Sequence, residues 1–119
     1  MPHFTLEHSA NLDVDAMACL WAVNAALVAS GHFKAIDIKS RAYAASVFLE
    51  GTDPAPHAFV AGRLAVLPGR SDEVKAAISA AVLQALLGAL PRADAVHRQV
   101  SVEIVDLHRA SYAKQVQQA

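Results

Sequence analysis

Directly behind the start methionine stands a proline, in "MPHFTLEHSANL". Removal of Met1 by an aminopeptidase, which favours a small second residue, would leave Pro2 with a secondary amine, a group only proline can offer at a chain start. Ordinary N-terminal amines titrate at about 7.7 to 8.0, and burial or neighbouring cations lower that toward neutrality, giving a general base near operating pH. With Met1 in place the same nitrogen is an amide without basicity. Proline is also tolerated at the first position of a strand, so Pro2 needs company before it means chemistry.

The company is cationic. In "IDIKSRAY", Lys39, Arg41 and Tyr43 alternate, so on a strand all three leave from one face; a solvated strand face has the same pattern. Arg70, in "LPGRSDE", sits where a strand turns into a helix. That placement puts its guanidinium near unpaired helix N-terminal amides, a ready anion site, although an arginine in such a loop is also often simply exposed. Arg63 falls mid-strand on an otherwise apolar face and needs a partner or an interface.

Other chemistries find less support. The six histidines, His3, His8, His32, His57, His97 and His108, show no metal-ligand spacing on any one element, so no metal site is expected. There is no phosphate-cradling glycine loop, nucleophile elbow or dinucleotide fingerprint, and no cofactor is expected. Cys19 is the one cysteine, which excludes an intramolecular disulfide, suits a reducing compartment and reads as a buried thiol. Ten Lys and Arg against eleven Asp and Glu give a net charge of −1, without the positive field that nucleic acid or an anionic membrane demands. The early acidic residues Glu7, Asp13 and Asp15 are unlike a secretory signal, and no apolar run nears the roughly 20 residues of a membrane span. A cytoplasmic protein is expected.

The elements that must position these residues come in two similar halves of one domain spanning residues 1–119, divided at about 52/53. "HFTLEH" alternates as a strand. Asn11 or Asp13 can cap a helix with Asp15 in its first turn, Ala16, Leu20, Val23 and Leu27 form its apolar stripe, and Gly31 stops it. Trp21 is assigned to the core. "IDIKSRAYAASVFLEG" is strand-like and ends in the turn-rich "GTDPAP". The second half repeats the order: strand "HAFVAGRLAVL"; a helix capped by Ser71 with Val74, Ile78, Ala81, Leu86 and Ala89 on one face and Pro91 beyond it; and strand "QVSVEIVDL". Two β-α-β units with right-handed crossovers make an α+β fold, a four-stranded mixed sheet with two helices on one face.

Hydrophobic residues make up 55% of the chain, more than one small core should hide. The third strand is apolar on both sides, with Val60, Leu64 and Val66 on one and Phe59, Ala61, Ala65 and Leu67 on the other. Two helices cover one face, so the other is expected to meet identical subunits.

The opening "MPHFTLEHSANL", followed in order by "IKSR", "PGRS" and "VEIVDLH", resembles the 5-carboxymethyl-2-hydroxymuconate isomerase family of the tautomerase superfamily over nearly the whole chain. The resemblance implies a tandem β-α-β fold, a homotrimer whose sheets form a central barrel, and a cofactor-free site at the N-terminal proline. It implies proton transfer on a carboxylate-bearing 2-hydroxymuconate-like dienol to give the 2-oxo isomer, with Pro2 and Arg70 catalytic and Lys39, Arg41 and Tyr43 binding substrate. Where relatives read I-R-S-R this chain reads "IKSR", so Lys39 keeps the charge of a family arginine without its planar fork. Two alternatives stay open. One is a noncatalytic trimer that binds an anion or a partner, should Met1 be retained; the other is hydratase or dehalogenase chemistry on a small acid, for which Glu7 or Glu103 would activate water.

Overall fold

The computed structural model describes residues 1–53, 55–92 and 97–118. Strand β1 (His3–Ser9) leads to helix α1 (Ala16–Ala29), a short 3-10 turn (Ala35–Asp37) and β2 (Lys39–Ala45). Then come β3 (His57–Val66), α2 (Asp72–Ala89), β4 (His97–Asp106) and a second 3-10 turn (Arg109–Ser111). The strands form one sheet in the order β2-β1-β3-β4. β1 and β2 are parallel, as are β3 and β4, while β1 and β3 run antiparallel. This is the expected mixed sheet of two joined β-α-β units.

Alternation decides the layers. Phe4 and Leu6 from β1 and Val60, Leu64 and Val66 from β3 are buried in one cluster with Cys19, Val23 and Leu27 of α1 and Ile78, Val82 and Leu86 of α2. Gly62 faces the same core, and its missing side chain makes room for Phe4: a Cβ there would stand 2.9 Å from two atoms of the Phe4 ring. The opposite face is more polar than expected. Phe59, Ala61 and Ala65 are joined there by His3, Thr5, Glu7, Lys39, Arg41, Tyr43, Arg63 and Glu103, so its apolar residues on β3 are interspersed with charged and polar ones.

Several local expectations shift. The α1 cap is Asp15, whose carboxylate accepts from the Ala18 N–H at 3.1 Å, rather than Asn11 or Asp13. Asp15 is the last polar residue before the apolar stripe, and starting the helix there turns Cys19, Val23 and Leu27 inward. Trp21 falls two positions past Cys19 on the outer side and is 72% exposed, not in the core. On α2, Val82 is buried and Ala81 exposed, since Val82 continues the four-residue step from Ile78 to Leu86. Ser71 caps α2 as expected, accepting from the Val74 N–H at 3.2 Å, with Asp72 and Glu73 in the first turn. Gly31, at φ 81°, ends α1 in the left-handed conformation that glycine adopts without strain. Among the described residues, no helix is long and apolar enough to cross a membrane.

Candidate active site

Pro2 is fully buried at the start of β1, and its carbonyl accepts from the Lys39 N–H at 3.1 Å. That bond leads into the ladder pairing His3 with Lys39 and Thr5 with Arg41, so β2 delivers both cations to the N-terminal end of β1. The Arg41 Nη2 lies 2.6 Å from the His3 Nδ1. A guanidinium only donates, so the imidazole nitrogen accepts and His3 is neutral there. Burial, and then the charges of Arg41 and Lys39, hold the His3 pKa below its ordinary value.

The amine end of the chain feels the same field. The amino group of Met1 is lowered from 8.0 to about 6, first by burial, then by a hydrogen bond with Lys39 and the positive charges of Lys39 and Lys114, with Asp37 opposing. Lys114 arrives from the tail beyond β4 and is held by Asp37, Nζ to Oδ1 3.7 Å. Sequence reasoning missed this cation, because its place depends on the path of the tail and not on any local pattern.

Arg70 reaches the same end of the sheet. His3 pairs with Ala65, which sets Pro2 level with Val66, four residues before Arg70. Its guanidinium does not turn to the α2 amides as expected. It donates to the carbonyls of Leu67 (3.4 Å) and His32 (3.3 Å) and lies over the Phe33 ring at 4.7 Å. Ser71, Asp72 and Glu73 already serve the α2 terminus, while the loop after α1 offers carbonyls and an aromatic face. The loop before Arg70 is tied in turn by Arg109, which donates to the Pro68 carbonyl at 2.7 Å.

Other candidates stand apart. Tyr43 shares the open face with Lys39 but pairs with Glu7, about 13 Å further along β2 at the strand rise of ~3.3 Å per residue, and is 57% exposed. Arg63 finds its partner in Glu103 across β3 and β4, Nη2 to Oε1 2.8 Å, so Glu103 is engaged by a cation. A cavity of about 490 Å³ on the open face is lined by Thr5, Glu7, Arg63 and Glu103 among others, and not by Pro2. At the far end of the sheet His57 and His97, opposite each other in register, meet Glu50, a grouping that spacing within single elements does not reveal.

Set beside known proteins, residues 2–118 match the model of the family described as 5-carboxymethyl-2-hydroxymuconate isomerase. No curated protein sequence matches the chain. Among solved structures, a 5-carboxymethyl-2-hydroxymuconate isomerase from Deinococcus radiodurans R1 superposes with a TM-score of 0.84 at 28% identity, over 98% of this chain and 90% of its own. A 5-carboxymethyl-2-hydroxymuconate delta-isomerase gives 0.77 at 18% identity, over 98% and 89%. A fused wild-type 4-OT symmetric trimer gives 0.67 at 24%, over 94% and 90%, and shares the fold. With the match running from Pro2 almost to the last residue, the chain belongs to the 5-carboxymethyl-2-hydroxymuconate isomerase family.

Proposed function

We propose that the chain, once Met1 is removed, is a cofactor-independent isomerase that converts a 2-hydroxymuconate-like dienol acid to its 2-oxo isomer, with Pro2 as the base. The observation that carries this reading is the environment at the head of β1, where burial, Lys39 and Lys114 lower the amino group of Met1, one residue before Pro2, to about 6. The Pro2 amine left by loss of Met1 would meet the same burial and the same cations, which favour its unprotonated form and ready it to take a proton. The Pro2 nitrogen removes the proton of the 2-hydroxyl; as the oxygen becomes a carbonyl, the double bonds shift and a distant carbon takes the proton back from Pro2. No electron or atom is gained or lost.

The cations serve this step in two ways. They stabilise negative charge building on the 2-oxygen, and they keep the proline from holding its proton. Arg70 keeps N–H donors beyond the two its backbone partners use, so it suits the 2-oxygen or the adjacent carboxylate. Lys39 and Lys114 would bind a second carboxylate as point charges, with Arg41 fixing His3 behind them. Tyr43 would reach substrate only from a neighbouring copy. A homotrimer, as in the fused 4-OT neighbour, would supply one and cover Phe59, Ala61 and Ala65 of the open face. Water activation by a carboxylate gains less support, because Glu103 is paired with Arg63.

The test is ketonisation of a 2-hydroxydienoate followed in the ultraviolet. Pro2→Ala should slow it at least ~100-fold and Arg70→Ala by roughly 100- to 1000-fold. A processed wild-type chain that accelerates none of a panel of such acids would leave only an anion-binding role.

A further inference from the structure

At the end of the sheet away from Pro2, three side chains that bind transition metals converge. His57 opens β3 and His97 opens β4, and the two are direct partners in the parallel ladder, their rings 5.4 Å apart. Glu50, from the segment between β2 and β3, points its Oε2 between them, 4.0 Å from the His57 Nδ1 and 3.7 Å from the His97 Nδ1. One ligand atom from each of the three lies within 4.8 Å of the others.

The hydrogen bonds around this cluster decide how it is read. The His57 Nε2 sits 3.3 Å from the Asp53 Oδ1, and the same oxygen is fixed by the Ala55 N–H at 2.9 Å. An ionised carboxylate only accepts, so Nε2 carries the proton, and in the neutral ring Nδ1 is left with a bare lone pair. That Nδ1 is buried and, like the Glu50 Oε1, has no hydrogen-bond partner among the described residues. A buried lone pair facing a carboxylate, with nothing donating to either, is unfavourable unless something positive lies between them. A proton on Nδ1 would not resolve it at 4.0 Å from Oε2, beyond hydrogen-bond length. A carboxylate holding the outer nitrogen of a histidine is also the usual arrangement behind a metal-bound imidazole.

We propose that Glu50, His57 and His97 bind a divalent zinc-class cation, with Asp53 orienting His57 from behind. Two imidazoles and a carboxylate match the borderline character of zinc, and three protein ligands leave a coordination position for water. Tetrahedral bonds of about 2.0–2.2 Å put ligands roughly 3.4 Å apart, so the two distances to Glu50 close by a few tenths of an ångström and the two histidine nitrogens by up to about 1.4 Å. The exposed ring of His97 is free to make that adjustment and leaves a path for entry. Asp53, Glu50 and His57 also line a cavity of about 250 Å³, which gives room for water beside the ion.

The test is calorimetric titration of the full, chelator-stripped chain with Zn²⁺ alone, an experiment independent of any isomerase activity. One ion per chain is expected, with His57→Ala or His97→Ala abolishing binding, Glu50→Gln weakening it at least tenfold and Asp53→Asn weakening it roughly 10- to 100-fold. His97 is exposed enough that its variant should fold, which circular dichroism checks. Absence of saturable binding by the wild type, or undiminished binding by folded His97→Ala, would overturn the proposal.

Discussion

At the head of β1, charge placed by two distant stretches of chain acts on the N-terminal nitrogen: Lys39 comes by strand pairing and Lys114 by the tail. A base must be unprotonated, so activity should fall as pH drops through its pKa. Burial and the cations that lower the Met1 amine would act on Pro2 in the same direction, so the acid limb of kcat/KM is expected below the ordinary N-terminal value of about 8. Removing a positive charge lets the amine hold its proton more tightly, so Lys114→Ala should move that limb upward by roughly half a pH unit, the scale of an exposed charge contact, and raise KM for a dicarboxylate. A pH profile of the variant that overlays the wild type would remove Lys114 from the site. The sequence made Pro2, Lys39 and Arg70 visible because each stands in a local pattern. Lys114 stands in none, and its role exists only through Asp37.

At the scale of elements, the period-2 alternation of β1, β3 and β4 was legible because one face of each strand lies against helices. The helix caps were less so. Asn11, Asp13 and Asp15 are all chemically able to cap α1, and only the packing of Cys19, Val23 and Leu27 selects among them. Trp21 misleads by its type, since a large apolar residue is assigned inward until the helical phase is known. Pairings between strands far apart in sequence were illegible for a different reason: His57 and His97 become neighbours only through the β3–β4 register. Register also explains Gly62, placed opposite Leu6 and beneath the buried Phe4 ring. Gly62→Ala should cost about 1–3 kcal/mol in a urea unfolding curve, because the added Cβ forces the buried Phe4 ring to shift. A loss below ~0.5 kcal/mol would mean the core relaxes more than its packing suggests.

For the whole molecule, the two ends of one sheet carry different chemistry: cations around Pro2 at one, and Glu50 with two histidines at the other. Between them lies the open face, where Phe59, Ala61 and Ala65 are set among charged and polar residues, and away from it Trp21, Ile36, Val47 and Leu49 remain exposed. So much uncovered apolar surface fits the proposed trimer, which light scattering would report as three times the 12.6 kDa chain. All of the proposed catalysis nonetheless depends on one covalent event, the loss of Met1, because only then does Pro2 carry an amine. The most direct measurement compares 2-hydroxydienoate ketonisation by two samples whose intact masses differ by one methionine. Acceleration by the Met1-free chain and none by the chain that retains Met1 is the expected result; equal rates from both would mean that the Pro2 amine is not the base.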